Sequence, residues 1–159
     1  MTARTHFNRF DILPFIQTEF IETQGRFSPD GRWVAYASNE SGPYQIYVQS
    51  FPLSGGKWQV STMGGAQPQW RRDGRELFYL APDRKLMTVE VNGTESTFVA
   101  GIPKPLFEAH VNTIFPGIGG ASYYSAAGDG QRFLVNTLAG DPTPSPLTVV
   151  MNWTAGLKR

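Results

Sequence analysis

The chain has 159 residues, of which 40% are hydrophobic and 17% charged, a composition that suits one folded domain and excludes a disordered chain. The net charge of +1, with no basic run longer than two residues, argues against a nucleic-acid partner, and the lack of cysteine excludes disulfides and thiolate metal sites. The 17 glycines, 12 prolines and 13% aromatic residues are typical of short strands joined by tight turns, so the predicted fold class is all-β.

The N-terminal segment, residues 1–24, carries one predicted strand, DILPFIQT at 11–18. It contains basic residues but no apolar core of about 7–15 residues and no small-residue cleavage site, so no signal peptide is predicted. No apolar stretch of the chain reaches the roughly 20 residues that span a membrane. These observations leave the localisation open, and a membrane-anchored or periplasmic parent protein is compatible with them.

Two stretches of the chain repeat one pattern: QGRFSPDGRWVAYAS at 24–38 and QPQWRRDGRELFYLA at 67–81. Each has a Gln, an aromatic residue three positions before an Asp-Gly pair, a basic residue after it and then an apolar run. A third Asp-Gly pair opens DGQRFLVNT at 129–137. A period of about 40–45 residues with four strands in each unit predicts the blades of a β-propeller. The distance along the chain from the second Asp-Gly pair to the third is longer than the distance from the first pair to the second. We assign the extra residues to a loop insertion in the Gly/Pro-rich stretch at 112–123.

Turn chemistry accounts for the shared Asp-Gly letters. The Asp side chain hydrogen-bonds locally, and the Gly takes the left-handed conformation that closes a type I turn with a bulge. The residues assigned to these structural turns are Asp30, Gly31, Asp73, Gly74, Asp129 and Gly130. With one such carboxylate in each blade, the three are expected to lie far apart, and we interpret them as turn formers rather than as a calcium site.

The strand that follows each turn is apolar at successive positions, which predicts that both of its faces are covered. These second strands are RWVAYAS (32–38), RELFYLA (75–81) and QRFLVNT (131–137). The third strands are YQIYVQSF (44–51), KLMTVEV (85–91) and LTVVMNW (147–153). More polar outer strands are predicted in KWQVST (57–62) and KPLFEA (104–109).

About three four-stranded antiparallel blades are therefore predicted, which is an incomplete propeller. The predicted units are 1–24 with the outer strand of a preceding blade, blade 1 at 25–66, blade 2 at 67–111, the insertion at 112–123, a three-stranded blade 3 at 124–154 and a tail at 155–159. Propellers typically close with about 4–8 blades. Three explanations stay open: a piece of a longer protein, two copies that complete one ring by self-association, or an arc that curls on itself.

The first copy, RFSPDGRWVAYASNESGPYQIYVQSFP, resembles the TolB-like, WD-like β-propeller repeats of bacteria. That family has an aromatic residue, Ser-Pro-Asp-Gly, an apolar strand, a Ser-rich turn and Ile-Tyr-Val. The second copy lacks the Ser-Pro, and the third departs further. The ending SPLTVVMNWTAGLKR is similar to the C-terminal end of large bacterial proteins in which a serine/threonine protein kinase domain and a membrane segment precede the propeller. The resemblance covers 11–154 and implies a parent protein rather than an activity of this segment.

Motifs for catalysis are not found in the sequence. The kinase loops and Gly-x-Ser-x-Gly do not occur, and GIGGAS at 117–122 lacks the third Gly of a dinucleotide-binding loop. His6 and His110 are the only imidazoles. No enzyme activity, cofactor or metal is therefore expected of this chain.

The predicted function is recognition of a protein or a small ligand by a propeller segment of a larger bacterial protein. Two alternatives stay open: the sensing or gating part of a kinase or peptidase whose catalytic domain lies elsewhere, or a truncated fragment without a function of its own. The candidate contact residues are Tyr44, beside the Gly42-Pro43 turn, and Arg71 and Arg72, next to the second Asp-Gly turn.

Overall fold

The computed structural model describes residues 12, 14–94, 97–111, 122–137 and 147–151, the last of these as backbone. These residues form twelve β-strands and no helix. The strands are β1 (Glu22–Phe27), β2 (Trp33–Ser38), β3 (Gln45–Ser50), β4 (Lys57–Gln59), β5 (Ala66–Trp70), β6 (Glu76–Leu80), β7 (Lys85–Gly93), β8 (Phe98–Ala100), β9 (Lys104–Glu108), β10 (Tyr124–Ala126), β11 (Arg132–Asn136) and β12 (Leu147–Met151).

The strands form three antiparallel sheets, one for each predicted blade. Blade 1 has the order β1-β2-β3-β4, and blade 3 has the order β10-β11-β12. Blade 2 runs β5-β6-β7, after which β9 pairs with the first half of β7 and β8 with its last residues. The all-β class and the blade architecture predicted from the sequence are confirmed.

Blade 2 lies between the other two blades and is buried on both of its faces. Leu77 and Tyr79 on β6 enter a cluster with Trp33 of blade 1, whereas Phe78 on the same strand enters a second cluster with Phe133 of blade 3. Successive residues of a strand point to opposite faces of its sheet, so an unbroken apolar run is what a sandwiched strand requires. The prediction of two covered faces is confirmed for β6, and every residue of β2 is likewise buried.

The corresponding prediction for blade 3 is wrong. On β11 the buried residues Phe133 and Val135 alternate with exposed ones, and Leu134 is 39% exposed. Phe133 packs towards blade 2, but the described part of the chain supplies no further blade against Leu134. The apolar run on β11 is present in the sequence, but its second face is buried only if another blade packs against it.

The predicted outer strand at 11–18 is also not observed. Of these residues, 12 and 14–18 are described, and they carry no strand. The Phe15 ring lies 5.7 Å from Phe51, and the Ile21 N–H donates to the Asn39 side chain, so the segment runs from one end of blade 1 to the other. An outer strand needs a third strand to pair with, and the described residues that precede β1 form none.

Several predicted units lie partly outside the described residues. Of the insertion at 112–123, only 122 and 123 are described. The third strand of blade 3 is observed at 147–151, and the tail at 155–159 lies outside the described ranges. The unit boundaries in those stretches stay predictions.

A ladder of glutamine side chains joins the innermost strands of the blades. The Gln67 backbone N–H donates to Gln24 Oε1 at 2.7 Å, and the Tyr123 backbone N–H donates to Gln67 Oε1 at 2.8 Å. Both glutamines have left-handed backbones, with φ of 60° for Gln24 and 57° for Gln67, and lie where the pairing to the second strand shifts by one residue. Blades 1 and 2 therefore each offer a side-chain carbonyl to the backbone of the blade that follows.

Replacing Gly74 with valine is expected to lower the free energy of unfolding by about 1–2 kcal/mol, because a residue with a Cβ resists the left-handed conformation. Gly74 has a φ of 71°, and an added Cβ would meet only Pro29 at 3.7 Å, so backbone strain is the cause being tested. Urea denaturation measures the change. Gly25→Ala is the control, because Gly25 has no such φ and its Cβ would make an ordinary contact. A Gly74→Val variant as stable as the parent would contradict the turn assignment.

Candidate functional site

The three Asp-Gly pairs form turns of the same geometry at one end of the blades, which we call the Asp-Gly end. In each turn the glycine N–H donates at 2.9 Å to the carbonyl three residues earlier, and the glycine φ values are 71°, 71° and 68°. Each Asp carboxylate accepts from the backbone N–H two residues later, at 3.1 Å for Asp30 and Asp73 and 2.9 Å for Asp129. The structure thus places one carboxylate in each blade and binds each within its own turn.

Arginine side chains bind the turn carboxylates. Arg71 donates to both oxygens of Asp73, at 2.7 and 2.6 Å, and its other terminal nitrogen lies 3.0 Å from Glu76. These hydrogen bonds lower the pKa of Asp73 to about 2 and raise the pKa of Arg71. Arg32 pairs with Asp30 in the first turn at 2.7 Å. The turns at the Asp-Gly end are therefore fixed by charged pairs as well as by backbone geometry.

Stability is expected to fall as the pH is lowered from about 4 towards 2. A carboxylate whose pKa is lower in the folded chain than in the unfolded chain stabilises the fold above its unfolded value, and this contribution disappears as the pH falls through the folded value. For Asp73 the ordinary value is 3.8 and the folded value about 2. Thermal melting at a series of pH values, followed by circular dichroism, measures the loss. Asp73→Asn should melt lower than the parent at neutral pH and lose less on acidification, whereas parallel curves would contradict the role of Asp73.

The structure does not bring the three candidate contact residues together. Tyr44 is half-buried at the opposite end of the blades, where its carbonyl accepts from the Gly65 N–H at 2.8 Å. Arg71 is held in its ion pairs. Arg72 is exposed, and its backbone N–H donates to the Gly128 carbonyl of blade 3 at 3.2 Å. Of the three, Arg72 has the most accessible side chain.

A cleft of about 380 Å³ lies between blades 1 and 2 at the Asp-Gly end, and we call it the inter-blade cleft. The first two Asp-Gly turns form its sides, and Arg72 and Arg75 are among the residues that line it on the blade 2 side. Trp33, Trp70 and Asn92 also line it. Its volume is within the range of small-molecule sites. Arg72 was a candidate from the sequence, whereas Arg75 was noted only as the basic residue after Asp-Gly, and Trp33 only as part of the second strand of blade 1.

A second, more apolar groove of about 520 Å³ lies at the opposite end of the same two blades. Met63 and Ile102 stand exposed on its rim, beside Pro82 and Pro105. Its polar groups include the ion pair of Asp83 with Lys85 at 2.7 Å. The lining of the groove is apolar, as in many docking surfaces. Asp83 and Lys85 pair with each other, so neither charge is left without a partner.

Groups for metal chemistry or proton transfer do not converge in the described ranges. No set of three or more His, Cys, Asp or Glu residues there could hold a metal ion. His110 is exposed, with Nδ1 3.6 Å from a Glu108 oxygen that is exposed as well. Among the described residues no helix is long and apolar enough to cross a membrane.

Comparison with solved structures finds propellers. The chain is similar to the oligogalacturonate lyase of Vibrio parahaemolyticus, with a TM-score of 0.50 and 16% identity over 76% of this chain and 31% of that one. An oligogalacturonate lyase in complex with manganese gives a TM-score of 0.49 and 19% identity over 70% of this chain and 27% of that one. The fold is an incomplete β-propeller. The chain thus spans about a third of the length of these structures, and at such identities the likeness concerns the fold alone.

Sequence comparisons add no family. No protein-family model matches the chain, and no curated protein matches it.

Proposed function

We propose that this chain is a non-catalytic recognition segment of a larger β-propeller, of the TolB-like kind, in a bacterial protein. The observation that carries the proposal is the face of blade 1 that points away from blade 2. Phe27 and Phe51 lie there 58% and 43% exposed, with ring centroids 4.9 Å apart, and Phe15 packs beside Phe51. Apolar surface left in water costs about 25 cal/mol per Å², so this face favours a partner that covers it.

The orientation of this face follows from the strand register. Phe27 pairs with Val34, and paired residues of an antiparallel sheet project to the same side. Trp33 and Ala35 project to the other side, into the cluster shared with blade 2. The exposed phenylalanines therefore lie where a preceding blade would pack.

The occupant that we propose for this face is a further four-stranded blade of the same protein. Two observations support it. The interface between blades 1 and 2 shows how one such sheet covers the next. The chain also spans only 31% of the lyase whose fold it shares, which leaves room for further blades in a complete ring. A second copy of this chain is the competing occupant.

Recognition would use the turns at the two ends of the blades. The strands form a rigid support, and the connections vary in sequence without disturbing the sheets. At the Asp-Gly end these connections enclose the inter-blade cleft, and at the opposite end they border the apolar groove. A protein or a small ligand would bind at either end, and this segment would catalyse no reaction on it.

The sensing or gating part of a serine/threonine protein kinase or peptidase is the second candidate. It rests on the resemblance of the ending SPLTVVMNWTAGLKR to propellers that follow kinase domains. Kinase motifs encoded before residue 1 in the full gene would favour this candidate. Flanking sequence that encodes only further propeller repeats would count against it.

The proposal is tested by the mass and the dye binding of the isolated chain. We expect the isolated chain to bind a hydrophobic dye, and we expect Phe27→Ser to reduce that binding without lowering the melting temperature. Leu53→Ser, at another exposed apolar residue, is the matched control. A stable monomer without dye binding would contradict the proposal. A discrete dimer in sedimentation equilibrium that Phe27→Ser dissociates would show that a second copy, and not another blade, covers the face.

A further inference from the structure

The apolar groove, at the end opposite the Asp-Gly turns, is a concave site between blades 1 and 2. Blade 1 lines it with the end of β4 and the link that follows, and blade 2 lines it with β6, β7 and the link between β8 and β9. Its volume of about 520 Å³ is within the range of small-molecule sites. Methionine and proline are prominent in the lining, which includes Met63, Pro82, Met87, Pro103 and Pro105.

The groove contains an unpaired hydroxyl group, that of Tyr79. Tyr79 is 2% exposed, and its hydroxyl forms no hydrogen bond with any described residue. Trp33 Nε1 also lacks a partner but is fully enclosed, whereas the Tyr79 hydroxyl is not enclosed and the residue lines the groove. Buried polar groups are nearly always paired, so this hydroxyl calls for a partner that the groove can admit.

The Tyr79 ring is held in place by the residues around it. An added Cβ at Gly65 would come within 2.9 Å of Cδ2 of the ring, so the link from blade 1 lies directly against it. Across the sheet Tyr79 pairs with Met87, and paired residues of an antiparallel sheet project to the same side. The hydroxyl group is therefore fixed beside a methionine side chain that lines the same groove.

The electrostatics of the groove favour an uncharged ligand. Burial and, next, the Asp83 carboxylate raise the pKa of Tyr79 to about 12, so the phenol stays protonated at neutral pH and can donate. Asp83 accepts from Lys85 Nζ at 2.7 Å, and these are the two charged residues of the described lining. A charged ligand would lose hydration without gaining an unpaired counter-charge.

We infer that the apolar groove binds a small uncharged ligand that has an aromatic ring and a hydrogen-bond acceptor. The Tyr79 hydroxyl donates to the acceptor, and the ring lies among the methionines and prolines, since methionine sulfur contacts aromatic rings favourably. The inference rests on the proposed recognition function, to which it gives a ligand class and a site. It does not involve the exposed face of blade 1.

Titration with acetophenone, which has a ring and a ketone oxygen, tests the inference in the chain labelled with ¹³C at its methionine methyl groups. The signals of Met63 and Met87 should shift, and those of Met1 and Met151 are the internal reference. Benzoate, which has the same ring with a charged acceptor, should bind at least about tenfold more weakly at neutral pH.

Tyr79→Phe separates the hydrogen bond from the shape of the groove, because it removes only the hydroxyl. It should weaken acetophenone binding about tenfold and leave the binding of toluene, a ring without an acceptor, as it is in the parent. Tyr36→Phe is the matched control, since the Tyr36 hydroxyl bonds Gln49 at 2.7 Å within blade 1 and does not line the groove. It should bind acetophenone as the parent does.

The opposite results would overturn the inference. Acetophenone that leaves Met63 and Met87 unshifted would remove the site, and benzoate that binds as tightly would remove the preference for an uncharged ligand. Unchanged acetophenone binding in Tyr79→Phe, an equal loss of toluene binding, or an equal loss in Tyr36→Phe would remove the role of the hydroxyl. The dye and mass measurements on Phe27→Ser do not depend on these results, so failure of this inference and failure of the proposed function are distinguishable.

Discussion

Replacing Phe78 with alanine is expected to lower the free energy of unfolding by about 3–5 kcal/mol, the range for a fully buried phenylalanine. Phe78 is 0% exposed on the side of β6 that faces blade 3, and its ring meets the Phe133 ring edge-on with centroids 5.1 Å apart. An added Cβ at Gly130 would lie 3.1 Å from the tip of the ring, so the third Asp-Gly turn also packs on it. Truncation would leave a cavity between two blades that the sheets cannot close.

Urea denaturation followed by tryptophan fluorescence measures this loss. Phe27→Ala is the matched control, because Phe27 is exposed in the isolated chain and should change stability by less than about 1 kcal/mol. A double-mutant cycle with Phe133→Ala should give a coupling of about 0.5–1.5 kcal/mol for the ring pair. A loss at Phe78 no larger than at Phe27 would mean that blade 3 does not pack on blade 2 as described.

The blade architecture was predictable because its signals are local. A type I turn that ends in a left-handed residue selects Gly at its last position, so Gly31, Gly74 and Gly130 mark the turn in each copy. The spacing of these turns gave the repeat. The continuous apolar run on β6 predicted that both faces of this strand are covered, since a strand between two sheets can bury apolar side chains at successive positions.

Features that depend on a neighbouring blade were not predictable. Leu134 is as apolar as Leu77, but only Leu77 has a described blade on its side. The inter-blade cleft brings Trp33 of blade 1 against Gly93 of blade 2, a contact that no spacing in the sequence indicates. The pattern showed Arg75 as a recurring basic residue, but its place in the lining of the cleft depends on how the turns of two blades assemble.

The shared glutamines, Gln24 and Gln67, were predictable from the sequence only in part. The sequence showed a Gln at the start of the first two copies, and the spacing of Gln24 and Gln67 equals that of the first two Asp-Gly pairs. It did not show that both would take a left-handed backbone, which costs a residue other than Gly, Asn or Asp about 1–2 kcal/mol. The bond from each glutamine side chain to the next blade offsets that cost. In the third copy Tyr123 occupies the equivalent position, so the glutamine pattern ends there.

Replacing Gln67 with methionine is therefore expected to lower the free energy of unfolding by about 2–3 kcal/mol, near the upper end for a lost buried acceptor. Methionine keeps the length and the unbranched shape of the side chain, so the packing changes little. The variant removes the Oε1 that accepts the Tyr123 N–H and retains the bond from the Gln67 N–H to Gln24. The loss should therefore fall on the junction between blades 2 and 3.

Hydrogen exchange locates the loss, and Gln24→Met is the matched variant. Gln67→Met should speed exchange of the amides of β10 and β11, whereas Gln24→Met should act on β5 and leave β10 as it is in the parent, because each variant breaks a different step of the ladder. If both variants opened the same amides, or if neither lowered stability by more than about 0.5 kcal/mol, the side-chain carbonyls would not be joining the blades. The left-handed glutamines would then be a strain without a compensating bond, and the order of the blades would rest on the apolar clusters alone.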